Sequence, residues 1–422
     1  MTLCLGVDIG TSGVRTAVVD GNKVVSMARA EHPVQDPSRI DANGWWVAVQ
    51  TCLTAQITAL NEIGVDPAEI TDVAVDGTSG SMVLTDAALT PVSRGLMYNS
   101  KGFDAEAEKI AACAPDDHIT KGSNSALARA MRLVSLAQGT PVHLLHQADF
   151  IAAKLMGQGG HSDYNNALKT GYDPELECWP DWVKQVIDPS LLPKVHNPGA
   201  PIATLSADWA RYFQMSPDAM VHAGTTDSIA AFLASAPLEQ GVAVTSLGST
   251  LAIKLLSRTR IDSPKVGLYS HRLGDLWLVG GASNTGGAVL RKHFSDEELR
   301  HLSAQIDPND PLDLEYYPLN TPGERFPIND PDLAPILHPR PRDKARYLQA
   351  MLEAMSRIEN HCYREIQNRG GSVPSEIYTA GGGAQNDVWT AIRARHIGLW
   401  PKAAPQSEAS VGAAKLAQSA SI

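Results

Sequence analysis

The chain has 422 residues, 43% of them hydrophobic, and a formal net charge of −11. That length exceeds what one core usually supports, so two globular domains are expected, and the acidic balance argues against nucleic acid or an anionic membrane as the main partner. Five cysteines are scattered without a C-x-x-C pair, which indicates neither a disulfide framework nor a zinc site; with no leader pattern and no long apolar run, a cytoplasmic protein without a membrane partner is expected.

In chain order, residues 3–7 form an apolar run suited to a buried strand, and residues 14–19 are β-branched enough to be its hairpin partner. Gly10 and Gly13 frame the turn between them. Glycines there let an oxyanion approach the main chain, and Thr11 and Ser12 add hydroxyl donors. Asp8 would repel a phosphate directly, so its fitting role is to hold Mg²⁺ against phosphate oxygens. Asp-x-Gly-Thr also occurs in ordinary hairpins, and on these residues alone both readings stand.

A third strand over residues 23–30 completes an antiparallel meander. Residues 44–63 keep helical spacing, with Trp45 and Trp46 read as packing residues. Val73-Ala-Val-Asp76 reads as a buried strand followed by the polar loop Gly77-Thr-Ser-Gly-Ser81, and open α/β sheets bind ligands at strand ends of this kind. Helices are predicted over 104–114, 125–138 and 144–155, then a proline- and aromatic-rich loop region with short helices over 171–201. Val221-His-Ala-Gly-Thr-Thr-Asp227 repeats the design of a strand, a polar turn and an acid, and runs into a small-residue helix whose N-cap Asp227 could equally be. A second strand pattern follows over 241–256, with Gly248-Ser-Thr250 in its turn, and another strand over 276–281. A long helix is predicted over 345–369. Ile377-Tyr-Thr-Ala-Gly-Gly-Gly383 is a strand entering a glycine turn before a helix near Asn386, an arrangement that suits a nucleotide.

Taken together, the sequence resembles the FGGY carbohydrate kinases of the actin-like ATPase superfamily, over nearly the whole chain. The resemblance rests on Asp8-Ile-Gly-Thr-Ser-Gly13, His222-Ala-Gly-Thr-Thr-Asp227, Ser246-Leu-Gly-Ser-Thr250 and Ala380-Gly-Gly-Gly-Ala-Gln-Asn386, supported by His161-Ser-Asp-Tyr-Asn-Asn-Ala167. It implies an α/β fold of two actin-like (ribonuclease H-like) domains, with mixed sheets flanked by helices and a cleft between them. The N-terminal sugar-binding domain would cover residues 1–228 and the nucleotide-binding domain 229–402, with a C-terminal helix in 403–422 packing back on the first. It further implies ATP with Mg²⁺ and transfer of the γ-phosphoryl group to a sugar hydroxyl. Asp227 would be the catalytic base, Asp8 the metal residue, and Gly10, Thr11 and Ser12 the cradle of the transferring phosphate. Gly248, Ser249 and Thr250 match the second phosphate turn, and Gly382, Gly383, Asn386 and Trp389 the part that holds adenosine.

Two departures from the family pattern stand out. Insertions common in larger members are missing, and at Met97-Tyr-Asn-Ser-Lys101 the chain offers Asn99, Ser100 and Lys101 where many relatives carry an Asp. The loop containing Thr78 and Ser79 lacks the Met-His pair of xylulose kinases and resembles ribulose-type kinases, short cyanobacterial and plant-like ones especially. D-ribulose is therefore the leading expectation and D-xylulose the runner-up, in a monomer or homodimer. A nucleotide-gated actin-like protein without enzymatic activity is the reading from another class; a regulator on this fold would need a basic helix-turn-helix, which the sequence lacks.

Overall fold

The computed structural model describes residues 3–36, 39–116 and 118–418. The chain divides into two compact units. One contains the described residues up to Ala234, Arg272–Gly274 and those from Glu408 onward, and the other contains Ser235–His271 and Asp275–Ser407.

The first unit is built on a six-stranded sheet. Its strands are β1 (Leu3–Ile9), β2 (Gly13–Asp20), β3 (Lys23–Glu31), β4 (Ile70–Gly77), β5 (Pro201–Thr204) and β6 (Met220–Thr226), in the order β3-β2-β1-β4-β6-β5. β1 to β3 form the expected antiparallel meander, while β4 runs parallel to β1 and β6 parallel to β4. β1 is buried along its whole length because both faces are covered, which is why it reads as an unbroken apolar run. One face packs on the helix Asn43–Glu62, with Trp45 and Trp46 buried as expected. On the other, Cys4, Ala17 and Ala74 meet Val411 and Ala414 of the helix Ala409–Gln418.

Several sequence expectations are corrected in this unit. Residues 143–146 do not open a helix but form the strand His143–His146, paired antiparallel with Met82–Thr85. The helix begins only at Gln147, where Asp149 accepts the His146 N–H at 3.2 Å. A short apolar run suits a buried strand as well as a helix, and the cap decides between them. The strands His161–Asp163 and Lys194–His196, parallel partners, were not expected because they are short and carry polar side chains. The helices at 104 and 126 end earlier than predicted, at Ala111 and Ser135.

A second six-stranded sheet is built almost wholly from residues of the second unit. Its strands are β7 (Val242–Leu247), β8 (Leu251–Ser257), β9 (Tyr269–Leu273), β10 (Leu276–Ser283), β11 (Glu376–Ala380) and β12 (Lys402–Ala403), in the order β9-β10-β8-β7-β11-β12. The helix Lys344–Asn368 lies on it, capped by Asp343, which accepts the Ala345 N–H at 2.8 Å. Beneath the sheet Arg393 and Glu359, both fully buried, form a two-point ion pair at 2.6 and 2.8 Å. Thr245 on β7 and Thr379 on β11 bond Glu359 and Arg393 respectively, so this buried pair joins the helices to the two parallel strands that lead to the glycine turns.

Candidate active site

Three carboxylates mark the ends of three adjacent parallel strands in the first unit. Asp8 near the end of β1 is paired in register with Asp76 on β4, and Asp227 begins the helix Asp227–Ser235 directly after β6. Such strand ends are where an open α/β sheet presents ligand-binding groups. Asp8 is 5% exposed and Asp76 fully buried. The protein supplies no hydrogen-bond donor to either Asp76 oxygen, so a hydrogen bond between the two acids requires a shared carboxyl proton. Burial pushes the Asp8 carboxyl up to about 6, against the lowering effects of Asp76 and Arg15, and the charge of Asp227 adds to the rise. Burial, then the charges of Asp8 and Asp227, hold Asp76 well above the ordinary carboxylate range. Arg15 on β2 approaches Asp8 at 3.5 Å and Glu408 at 3.6 Å. Asp227 is half-buried and accepts the Ser228 N–H at 2.6 Å. It therefore begins its helix, and its charge reaches both other acids as well.

The turn after β1 is held from inside. The Gly10 N–H donates to the Gly13 carbonyl at 2.9 Å, and the Gly10 carbonyl accepts from His32 Nε2 at 2.8 Å. Thr11 and Ser12 are exposed, leaving their N–H and hydroxyl groups to meet an anion. Farther along the same sheet, His222 is buried with its ring between the Gly199 carbonyl at 2.8 Å and Asp72 at 2.7 Å, which fixes the start of the strand that carries Asp227.

The loop after β4 carries a polar network centred on Gln147, whose amide nitrogen is buried without a partner. The buried Gln147 accepts the N–H of Thr78 at 3.1 Å and its hydroxyl at 2.6 Å. Thr78 and Ser81 share a hydroxyl contact at 2.6 Å, and Ser81 accepts the Tyr98 N–H at 2.9 Å. The Thr78 hydroxyl is thus engaged within the loop, and half-buried Ser79 is the loop's remaining hydroxyl.

In the second unit the glycine turns come together. The Gly287 and Ala288 N–H groups donate to the carbonyls of Gly248 and Ser249 at 2.9 and 3.0 Å, and Arg291 donates to the Ser249 hydroxyl at 3.1 Å. Gly286 has φ +138° and an added Cβ would lie 2.8 Å from Thr250 Cα; Gly381, at φ +84°, would bring its Cβ within 2.7 Å of the Leu247 carbonyl. Ser249, Thr250 and Gly382 are exposed and Gly383 is half-buried. Asn386 caps the helix Asp387–Ile397 by accepting the Trp389 N–H at 2.9 Å, and its amide donates to Ser303 at 2.9 Å. Trp389 is 3% exposed and lies in the core, so both support the glycine turn from the protein side.

Sequence reasoning missed Asp76, Gln147 and Gly286. Asp76 carried a usable signal, being an acid at the end of a buried strand like Asp8; the other two sit on elements without a motif.

The residues fit a divalent cation of the hard, oxygen-preferring kind, since Asp8 and Asp76 are adjacent carboxylates and Asp76 has no donor from the protein. Among the described residues no cluster of at least three acidic, histidine or cysteine side chains is placed to hold a metal, so waters and ligand oxygens would complete its shell. In the second unit's glycine turns Gly286 and Gly381 leave no room for an added Cβ, while Gly248 and Gly382 beside them are open, an arrangement that fits a polyphosphate. Among the described residues no helix is long and apolar enough to cross a membrane.

Residues 243–421 match the family described as "FGGY family of carbohydrate kinases, C-terminal domain". A xylulose kinase from Streptomyces coelicolor is 26% identical over 449 residues, covering 100% of this chain and 88% of that protein. The xylulose kinase of Escherichia coli K12 is 23% identical, covering 98% and 89%. Among solved structures, a xylulose kinase from Rhodospirillum rubrum superposes with a TM-score of 0.83 at 21% identity, covering 99% of this chain and 89% of that one. A gluconate kinase from Lactobacillus acidophilus gives 0.82 at 14%, with 99% and 89% covered. The fold likeness therefore extends beyond one substrate.

Proposed function

We propose that this chain is a sugar kinase of the FGGY kind, whose C-terminal domain model its residues 243–421 match, and that it phosphorylates a ketopentose with ATP. The observation that carries the reading is the convergence of Asp8, Asp76 and Asp227 at the ends of three adjacent parallel strands, beside a hydroxyl-bearing loop. Asp227, half-buried with its charge directed at the acid pair, takes the proton of the acceptor hydroxyl as that oxygen bonds the γ-phosphorus, while the bond to the ADP oxygen breaks. Thr11 and Ser12 hold the transferring phosphoryl group, and Gly248, Ser249, Thr250, Gly382 and Gly383 cradle the nucleotide. Asp8, supported by Asp76, would hold Mg²⁺, which when bound offsets phosphate charge.

D-Xylulose is the first reading, supported by the likeness to proteins named xylulose kinase over 88% and 89% of their length. D-Ribulose is the second reading, favoured by the Thr78–Ser81 network, which lacks the Met-His pair of xylulose kinases. A panel of D-xylulose, D-ribulose, their L-epimers, gluconate and glycerol, followed by ADP release, tests both. A ketopentose should give the highest kcat/KM. ADP release that no sugar stimulates would favour a nucleotide-gated protein without sugar-kinase activity.

A further inference from the structure

Arg129 lies on the helix Ala126–Ser135 and is 2% exposed, among the largest fully buried side chains of the molecule. A buried guanidinium ordinarily has a carboxylate partner. Among the described residues Arg129 makes no ion pair, and its donors go to main-chain carbonyls of three separate segments. Nη1 donates to Gly80 at 2.5 Å, and Nη2 donates to Tyr98 at 2.7 Å and Asn124 at 3.0 Å. Nε is buried without an acceptor. Phe103 covers the group, with its ring centroid 6.0 Å from the guanidinium carbon. Gly80 sits at φ +87°, and an added Cβ would meet Nη1 at 3.0 Å, so loop and cation are in direct contact.

We propose that Arg129 is the positioning residue of the sugar-acceptor loop, holding residues 78–81 and 97–100 in one fixed relation so that Ser79 can discriminate between sugar hydroxyls. Tyr98 is held at both backbone groups, its carbonyl by Arg129 and its N–H by Ser81. The same cation therefore grips the loop that bears Ser79 and the segment in which Asn99 and Ser100 stand in place of the family's acid. Charge-assisted bonds to carbonyls are the stronger kind, and none of them uses the Ser79 side chain. The consequence is selective: loosening this grip should blur recognition of the sugar and leave ATP binding in the other unit alone. The inference rests on the ketopentose-kinase reading for its kinetic arm but not for its structural arm.

The test compares wild type with Arg129→Lys, which keeps charge but not the fork, and Arg129→Gln, which keeps donors but not charge. Hydrogen exchange of the ligand-free proteins should show faster exchange in Arg129→Gln, by at least about tenfold, in residues 78–81 and 97–100, and outside them only in the turn at Asn124 that Arg129 also holds. Steady-state kinetics should show KM for the preferred ketopentose raised by at least about tenfold, KM for ATP within about twofold, and the preference over epimers reduced, with Arg129→Lys intermediate. Wild-type protection of both segments in a folded variant overturns the proposal, as does an equal rise in both KM values. A wild type inactive on every sugar defeats the kinase reading, and the exchange experiment then decides the role of Arg129 alone. If Arg129→Gln does not fold, Gly80→Ala, which pushes the loop off Nη1 from the opposite side, carries the same comparison.

Discussion

Asp8 and Asp76 stand opposite each other on adjacent parallel strands, in register and buried, with pKa values that both lie above the ordinary carboxylate range. Two neighbouring carboxylates out of water disfavour ionisation of both, so the ligand-free protein retains a proton that the unfolded chain gives up. The sign follows from linkage. A folded-state value raised from 3.8 to about 6, as at Asp8, contributes stability that is fully present below the unfolded value and lost as pH rises through the folded one. The pair is a stability cost at neutral pH, retained for a ligand that can use the charge.

Asp76→Asn should therefore stabilise the ligand-free protein near neutral pH, and the gain should vanish as pH falls toward 4. Thermal melts of both proteins across that range check it. A variant less stable than wild type near neutral pH would show that Asp76 has a structural role and that the acid pair carries no such cost.

Asp8→Asn removes a carboxylate from the same pair and should weaken the magnesium response of the activity whichever sugar is supplied. Direct Mn²⁺ binding by electron paramagnetic resonance, with nucleotide present, gives a readout independent of turnover. Equal metal affinity in the two proteins would remove Asp8 from the cation site.

Asp227→Asn should abolish sugar phosphorylation, with a loss of about 10²–10⁴ in kcat, while ATP affinity changes little. The base acts on the acceptor and not on the nucleotide. Asparagine keeps an oxygen for the Ser228 N–H, so the helix start should survive, and rates near wild type would reduce Asp227 to a helix-starting residue.

The outline of the fold was legible because burial leaves a direct imprint on composition. β1 reads as apolar because both its faces are covered, and the alternation of exposed and partly buried residues along β3 marks an edge strand. Asp8 and Asp227 drew a site expectation from their place at the ends of buried strands, and the structure sets both at adjacent strand ends, although each residue alone also had an ordinary reading as a hairpin acid or an N-cap. Asp76 has the same form, but its sequence neighbours place it at the start of the polar loop pattern, and its pairing with Asp8 exists only through the register of two strands remote in sequence. Arg129 and Gln147 were not legible, because their meaning lies in carbonyls and hydroxyls brought to them by loops remote in sequence. Asn386 and Trp389 show the converse: their motif is clear, yet one caps a helix and the other lies in the core.

Gly286→Ala is the corresponding test of the second unit. Its φ of +138° and a Cβ position 2.8 Å from Thr250 Cα mean that alanine must displace the Gly248–Thr250 turn or strain the backbone, at about 1–3 kcal/mol. KM for ATP should rise several-fold while KM for the sugar holds. Isothermal titration with a non-hydrolysable nucleotide separates the two, and unchanged nucleotide affinity would detach this turn from the phosphate site.

Ser79→Ala addresses the sugar itself. The hydroxyls of Thr78 and Ser81 are engaged within the loop, so Ser79 is the side chain through which the loop can read a substrate hydroxyl. A buried polar group left unpaired by a misplaced hydroxyl costs about 1–3 kcal/mol, so the wild type should prefer one ketopentose over its epimers by roughly one to two orders of magnitude in kcat/KM. Alanine should compress that ratio toward unity, lowering kcat/KM for the best substrate more than for the others, without changing KM for ATP. Rates on D-xylulose, D-ribulose, L-xylulose and L-ribulose with both proteins measure the ratio directly. If the discrimination survives intact in Ser79→Ala, the selecting contact lies elsewhere, and the 97–100 segment, which Arg129 also holds, becomes the place to seek it.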